Sequence, residues 1–246
     1  MPESTGKSDF KISLQLLWGR KERGQRGPKP GLTVERIVAT AIALADEEGL
    51  DQLSMRKVAD KLGTGAMSLY RYVPSKAELL DLMLDTIHGE DPHPEESGPW
   101  RPRLEAAAHR TRALIQRHPW MLGVTLGQRP PLGLNILTSY DRVLRILTGT
   151  GLSPTEMVAT AELVNNYVTG ATRVGVESEQ MARESGVSDV QWWDERASFW
   201  EEYFDPERFP MISKVYAEGG YDEQLDHFDF GLQRILDGIE ATLAAR

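Results

Sequence analysis

Apolar residues return every three or four positions through most of this chain. Val34, Ile37, Val38, Ala41, Leu44 and Ala45 form one such stripe, the mark of a helix with one buried face. Thr33 stands where an N-cap belongs and Gly49 where the helix must stop. A second helix is expected from Ser54, as cap, to Gly63. A third, very short, fits between that glycine and Pro74, in the run LGTGAMSLYRYV. Pro74-Ser75-Lys76 reads as a turn and cap into a fourth helix, with Leu79, Leu80, Met83, Leu84 and Ile87 along one side. The segment HGEDPHPEESGPWRPR then breaks the period with four prolines and two glycines, as a linker does. Helical runs resume at about 100–118, 133–149, 154–184, 189–204 and 222–245. In the last run Leu225, Phe228, Leu232, Ile235, Leu236, Ile239 and Leu243 share a face. No run alternates β-branched residues between hairpin signals, and no internal repeat is present. The expected fold is all-α.

Within this pattern, residues 53–73 have a spacing with a specific use. Two helices crossing steeply through a tight turn need a small residue at their closest approach, here Ala59. They also need a residue that tolerates positive φ four positions on, here Gly63, and apolar anchors such as Val58, Leu62 and Leu69. That is helix-turn-helix spacing, whose second helix enters a major groove. Two ordinary core helices around a glycine turn share the same spacing, so DNA binding and plain packing both remain open on spacing alone.

Charge and composition narrow the choices. The chain of 246 residues has a net charge of -9, which by itself disfavours nucleic acid. The charge is uneven, however: residues 1–76 hold 13 Lys/Arg against 9 Asp/Glu, and the remainder 15 against 28. A basic front on an acidic body suits a DNA-contacting end on a larger domain that does not touch DNA. There is no cysteine, which removes disulfides, thiolate metal sites and cysteine nucleophiles. No apolar run is long enough to span a membrane, and the first residues lack the apolar core of a secretion signal. A cytoplasmic location is expected.

The block from Gly31 to Ile87 resembles the N-terminal domain of the tetracycline-repressor (TetR) family of bacterial transcription regulators. SLYRYVPSKAELL is close to that family's recognition-helix signature, with Tyr70 and Lys76 at signature positions. The tail FDFGLQRILDGIEATL resembles the end of the C-terminal domain in the branch that contains the tetracycline repressors themselves. The resemblance implies a basic arm over 1–31, a three-helix DNA-binding domain over 32–78 and a helical ligand-binding and dimerisation domain over 79–246. It further implies that Gly65, Ala66, Met67 and Ser68 face base edges, with Ala66 and Met67 against thymine methyls. Ser68, Tyr70, Tyr72 and Lys76 would meet phosphates, and Arg56 a guanine. Thr64 would cap the short helix or bind phosphate; Arg71 would face a phosphate or solvent. With few strong hydrogen-bonding readers, shape and methyl contacts are expected to carry specificity. Arg20, Lys21, Arg23, Arg26 and Lys29 precede the first helix, either as an arm along the DNA or as a solubilising tail.

By the same resemblance the partners are a palindromic double-stranded operator, a second copy of the chain and a small-molecule effector. The dimer would form through the helices near 154–176 and 222–245, where Gly170, Ala171, Gly231 and Gly238 permit close approach, although packing within one chain is equally served by them. Effector contacts are expected among His109, Thr111, Trp120, Tyr140, Asn165, Asn166, Thr169, Trp193, Phe199 and Trp200, which combine apolar bulk with isolated polar groups. Their aromatic content suggests a flat, largely apolar ligand. The His and Glu that hold a drug–magnesium complex in tetracycline repressors have no placeable counterpart here, so tetracycline is not inferred. No cofactor or metal is expected, and no enzymatic activity. Two rival readings remain: a ligand-binding helical dimer without DNA function, and a metal-dependent enzyme using His88, Glu90, Asp91 and His93 in HGEDPH.

Overall fold

A computed structural model describes residues 10–19, 31–90, 97–125, 131–222 and 225–246. The described residues form helices, with no strand among them. They divide into two compact units, 1–165 and 166–246. The basic arm residues Arg20, Lys21, Arg23, Arg26 and Lys29, and Asp91 and His93 of the linker, lie outside the described residues.

The first unit opens with α1 (Phe10–Leu17), inside the segment expected to be a basic arm. Its Leu16 and Leu17 are buried, it packs on the later helix at 76–88, and Trp18 donates its indole N–H to the Leu132 carbonyl at 2.9 Å. Eight residues give barely two turns, too few for a periodic stripe to stand out from a basic, polar flank. α2 (Val34–Glu48) buries Ile37, Val38, Ala41, Ile42, Leu44 and Ala45 and is capped by the Thr33 hydroxyl, which accepts from the Arg36 amide. α3 (Met55–Lys61) is capped in the same way by Ser54. α4 (Ala66–Tyr70) follows the turn, and α5 (Lys76–His88) starts at the Ser75 cap. The Ser75 hydroxyl accepts from the Ala77 amide and donates to the Glu78 carboxylate.

α6 (Trp100–Arg117), the short α7 (Met121–Thr125) and α8 (Leu134–Leu147) complete this unit with the first part of α9 (Pro154–Ser185). α8 begins at Gly133, which has no side chain to cap it. The cap comes from α5: Asp85 Oδ1 accepts from the amides of Asn135 at 2.9 Å and Ile136 at 3.0 Å, and Oδ2 accepts from the Asn135 side chain at 3.2 Å. A Cβ on Gly133 would strike that carboxyl group. α5 packs with α1, α2 and α8 alike.

In the second unit the rest of α9 buries Val168 and Val176, and α13 (His227–Ala244) buries Phe228, Leu232, Leu236 and Ile239. Tyr167 donates its hydroxyl to the carbonyls of His227 and Phe228, at 3.0 and 2.8 Å, and its ring lies where a side chain on Gly231 would be. Gly231 thus serves packing within one chain. Between these helices, α10 (Asp189–Asp194), α11 (Ala197–Glu202) and α12 (Pro210–Ala217) replace the single run expected over 189–204. The break falls at Glu195 and Arg196, and α12 and the start of α13 at His227 rather than 222 were not anticipated.

Two measurements test this packing. Asp85→Ala leaves two helix-end amides without acceptors and is expected to cost about 2 kcal/mol in urea unfolding. Burial, with Glu78 adding to it, raises the Asp81 carboxyl to about 6 from 3.8. The fold therefore favours the protonated acid, and that contribution is lost as pH rises from about 4 through 6. Asp81→Asn is expected to melt a few degrees higher than wild type at pH 7.5, with the gap closing near pH 4; an unchanged gap would contradict the assignment.

Candidate nucleic-acid interface and ligand site

The α3–α4 corner is built by its turn. Gly63 takes φ +67° and donates to the Asp60 carbonyl at 3.1 Å, while Thr64 donates its amide to the Ala59 carbonyl at 3.0 Å. These two bonds form a Schellman closure, which satisfies the last carbonyls of α3 and requires a residue free to adopt positive φ. Thr64 is consequently part of the α3 stop. The N-cap of α4 is Gly65, with no side-chain bond, so the capping alternative for Thr64 does not hold. Leu69 and Val73 are fully buried and anchor α4 from behind, as Val58 and Ala59 anchor α3; Leu62 is only half-buried.

That anchoring decides which side chains face outward. Met67 is 78% exposed, Tyr70 42%. Arg71 and Lys76 are exposed, while Ala66, Ser68 and Tyr72 are half-buried at the same rim. A Cβ added to Gly65 would meet nothing within 4 Å. Among the cations of α3, Lys57 is held by Glu48 at 2.7 Å and Lys61 lies 4.0 Å from Glu47; the Lys57 bond keeps the Glu48 carboxyl below its ordinary range. Arg56 has only a loose 3.9 Å contact with Asp60 and an exposed side chain. The outward surface thus combines a methionine, a tyrosine, small residues and Arg56, Arg71 and Lys76, the mix suited to methyl contacts and phosphates.

The expected effector contacts fall into two sets. In the first unit His109 and Thr111 are half-buried on α6, and the Thr111 hydroxyl donates to the Ala107 carbonyl of its own helix. Tyr140 and Asn165 are exposed. Trp120 is buried, and its indole N–H is taken by Asp46 Oδ1 at 2.7 Å. In the second unit Asn166 is exposed and Thr169 half-buried. Trp193, Phe199 and Trp200 do come together: Trp193 and Trp200 centroids are 6.1 Å apart, Phe199 and Trp200 5.3 Å. Trp192, Tyr203, Phe204 and Phe209 extend this ladder of rings, with the Arg196 guanidinium 4.0 Å over Trp192.

Some polar groups of the structure carry no clear mark in the sequence. Arg103 Nε and the Thr172 hydroxyl are buried without a hydrogen-bond partner among the described residues, a state that costs free energy unless a ligand completes it. His118, packed between Asp46 and Glu90, was also unanticipated; only its place before Pro119 at a helix end marks it in the sequence. Of the HGEDPH group, His88 is half-buried and partial desolvation lowers its pKa, and Glu90 faces His118 and Arg117.

Comparison with known proteins decides the family. Residues 37–83 match the model of the bacterial regulatory proteins of the tetR family, and residues 91–243 match the tetracyclin repressor-like C-terminal domain. The chain belongs to the tetracycline-repressor family. It is accordingly a helix-turn-helix transcriptional regulator. The HTH-type transcriptional repressor DrrR1 of Streptomyces coeruleorubidus is 43% identical over 246 residues, covering 99% of this chain and 90% of that protein. The class C tetracycline repressor of Escherichia coli is 26% identical, covering 84% and 90%. Among solved structures, Streptomyces coelicolor ActR in complex with actinorhodin superposes with a TM-score of 0.72 at 27% identity, covering 87% of this chain and 98% of that one. Apo ActR gives 0.70 at 28%, covering 89% and 99%.

Because Gly65 has open space around it, a methyl group there strikes no neighbouring atom, and the change acts only through the N-cap preference of glycine over alanine, about 0.5 kcal/mol. Gly65→Ala is expected to lower the melting temperature by no more than a few degrees and to weaken DNA binding about tenfold, the scale of one lost close contact. Loss of stability in place of affinity would assign Gly65 to folding.

Proposed function

We propose that this regulator is a repressor that binds a two-fold operator as a homodimer and is released by a flat, polycyclic, partly apolar small molecule. The observation that carries the DNA half is the outward face of α4, where buried Leu69 and Val73 turn Met67 and Tyr70 to solvent beside Lys76. Tyr70, Lys76, Ser68 and Tyr72 set the register on phosphates, Gly65, Ala66 and Met67 approach the bases, and Arg56 reaches a guanine. Similarity to a repressor over nearly the whole chain supports the sign of regulation.

Two copies are needed because one head reads few base pairs. The exposed apolar residues Val174 and Met181 on α9 and Phe230 on α13, with no neighbour within 4 Å of a Cβ at Gly170 or Gly238, supply a surface for the second copy. The effector reading rests on the ring ladder of Trp193, Phe199 and Trp200, faces on which a planar ligand stacks, with ActR and actinorhodin as the parallel. A ligand that binds the head-splayed state better lowers operator affinity by that difference and no more.

The test is a DNase footprint on the DNA flanking the protein's own gene, with actinorhodin as the first effector probe. Protection is expected over two half-sites about one helical turn apart. Tyr70→Phe and Lys76→Ala should each weaken it severalfold across all sequences bound, and the probe should release it. Protection of a single half-site would reject the dimer, and unchanged affinity in both variants would reject this reading face.

A further inference from the structure

Three parts of the first unit meet at one imidazole. His118 is the C-cap of α6, and its side chain is 4% exposed. Its Nδ1 lies 2.8 Å from Asp46 Oδ1 in the last turn of α2, and its Nε2 lies 3.0 Å from Glu90 Oε2, two residues past the end of α5. The same Asp46 oxygen accepts from the Trp120 indole, and the same Glu90 oxygen lies 3.4 Å from Arg117 Nη1. Ionised carboxylates only accept. Both ring contacts are hydrogen bonds only if both nitrogens carry hydrogen, which makes the ring a cation. Two carboxylates then face two cations, His118 and Arg117. A neutral ring would aim a lone pair at one of the carboxylates, about 3 Å away and largely out of water, where such a mismatch is most costly.

The location gives this arrangement its meaning. α2 packs on α3 of the helix-turn-helix, whereas His118 and Trp120 bracket the corner between α6 and α7. The bridge therefore ties the DNA-reading helices to the helix that carries His109 and Thr111. We propose that the Asp46–His118–Glu90 bridge is a proton-dependent joint: it holds the reading head to the body while the ring is doubly protonated and loosens when a proton leaves. The proposal rests on the operator reading above. A head already held in place loses less conformational freedom on binding DNA, so operator affinity falls as pH rises. Residues 31–76 contain no histidine, so no imidazole of the reading face itself contributes to that dependence.

The experiment uses the full chain and its footprinted operator, with affinity read by fluorescence anisotropy from about pH 6 to about pH 8.5 at constant ionic strength, the span in which imidazoles change charge. Wild type is expected to lose about 5–20-fold in affinity over this range, an ordinary size for coupling between two sites. His118→Gln and Asp46→Asn, each confirmed folded by its melting curve, should give flat profiles near the wild-type value at high pH; titration of Asp81 is common to all three proteins and cancels. A flat wild-type profile, or an unchanged slope in His118→Gln, overturns the joint and leaves the regulator reading standing. Should both variants fail to fold, nitrogen NMR of ring-labelled wild type decides. Both His118 nitrogens protonated at about pH 6, with loss of one tracking the fall in affinity, supports the joint, and a neutral ring at that pH overturns it. Absence of any operator binding at every pH would reject the regulator reading and the joint together.

Discussion

The last carbonyls of α3 must find donors within two residues if another helix is to leave at a steep angle, and Gly63 is what allows it. With φ at +67° it turns the chain so that its own amide and that of Thr64 close on Asp60 and Ala59. Everything about the reading surface follows from that closure. The turn sets where α4 starts, Leu69 and Val73 set how it is rotated, and the remaining positions are left facing outward whatever their chemistry. A side chain with a Cβ at residue 63 would strain the turn and disturb both helices at once.

The same demand for satisfied helix ends recurs through the first unit, met each time by a different device. Thr33, Ser54 and Ser75 cap their own helices. α8 borrows Asp85 from α5, and α6 ends on His118, whose ring reaches two other parts of the unit. Local caps set where helices begin. Borrowed caps set how helices lie against one another, because a carboxylate serving another helix fixes both in place. Structure and the proposed regulation thereby share components: Asp46 and His118, which join α2 to the end of α6, are also the groups of the proposed joint.

The second unit works on a contrary principle. α9 and α13 have a well-defined seam, with Tyr167 filling the space over Gly231, but the segment between them keeps many of its aromatic rings in solvent. Trp192, Trp193, Phe199, Trp200 and Tyr203 stay more than 40% exposed while contacting one another. Rings arranged this way have not reached the burial that normally stabilises them.

Periodicity located α2, α3, α5, α6, α8 and α9, and the glycine turn and Pro74 bracketed the short α4, because an apolar stripe at helical spacing and a Ser, Thr, Gly or Pro at its ends are local signals. The recognition-helix run SLYRYVPSKAELL carried the family in the same local way, since the residues that build a helix-turn-helix are contiguous. What the chain could not show in one dimension were the partnerships across it. Asp85 to Asn135 spans 50 residues and Asp46 to His118 spans 72; neither pair has a spacing to find, as each is made by packing of helices distant in sequence. For the same reason the bond from the Trp120 indole to Asp46, 74 residues away, had no signal in the sequence. α1 and the broken helices after residue 188 escaped too, being too short for a period to register. Local hydrogen-bond needs are written residue by residue, whereas long-range polar pairing and the exposure of aromatic rings arise only once the helices have been assembled.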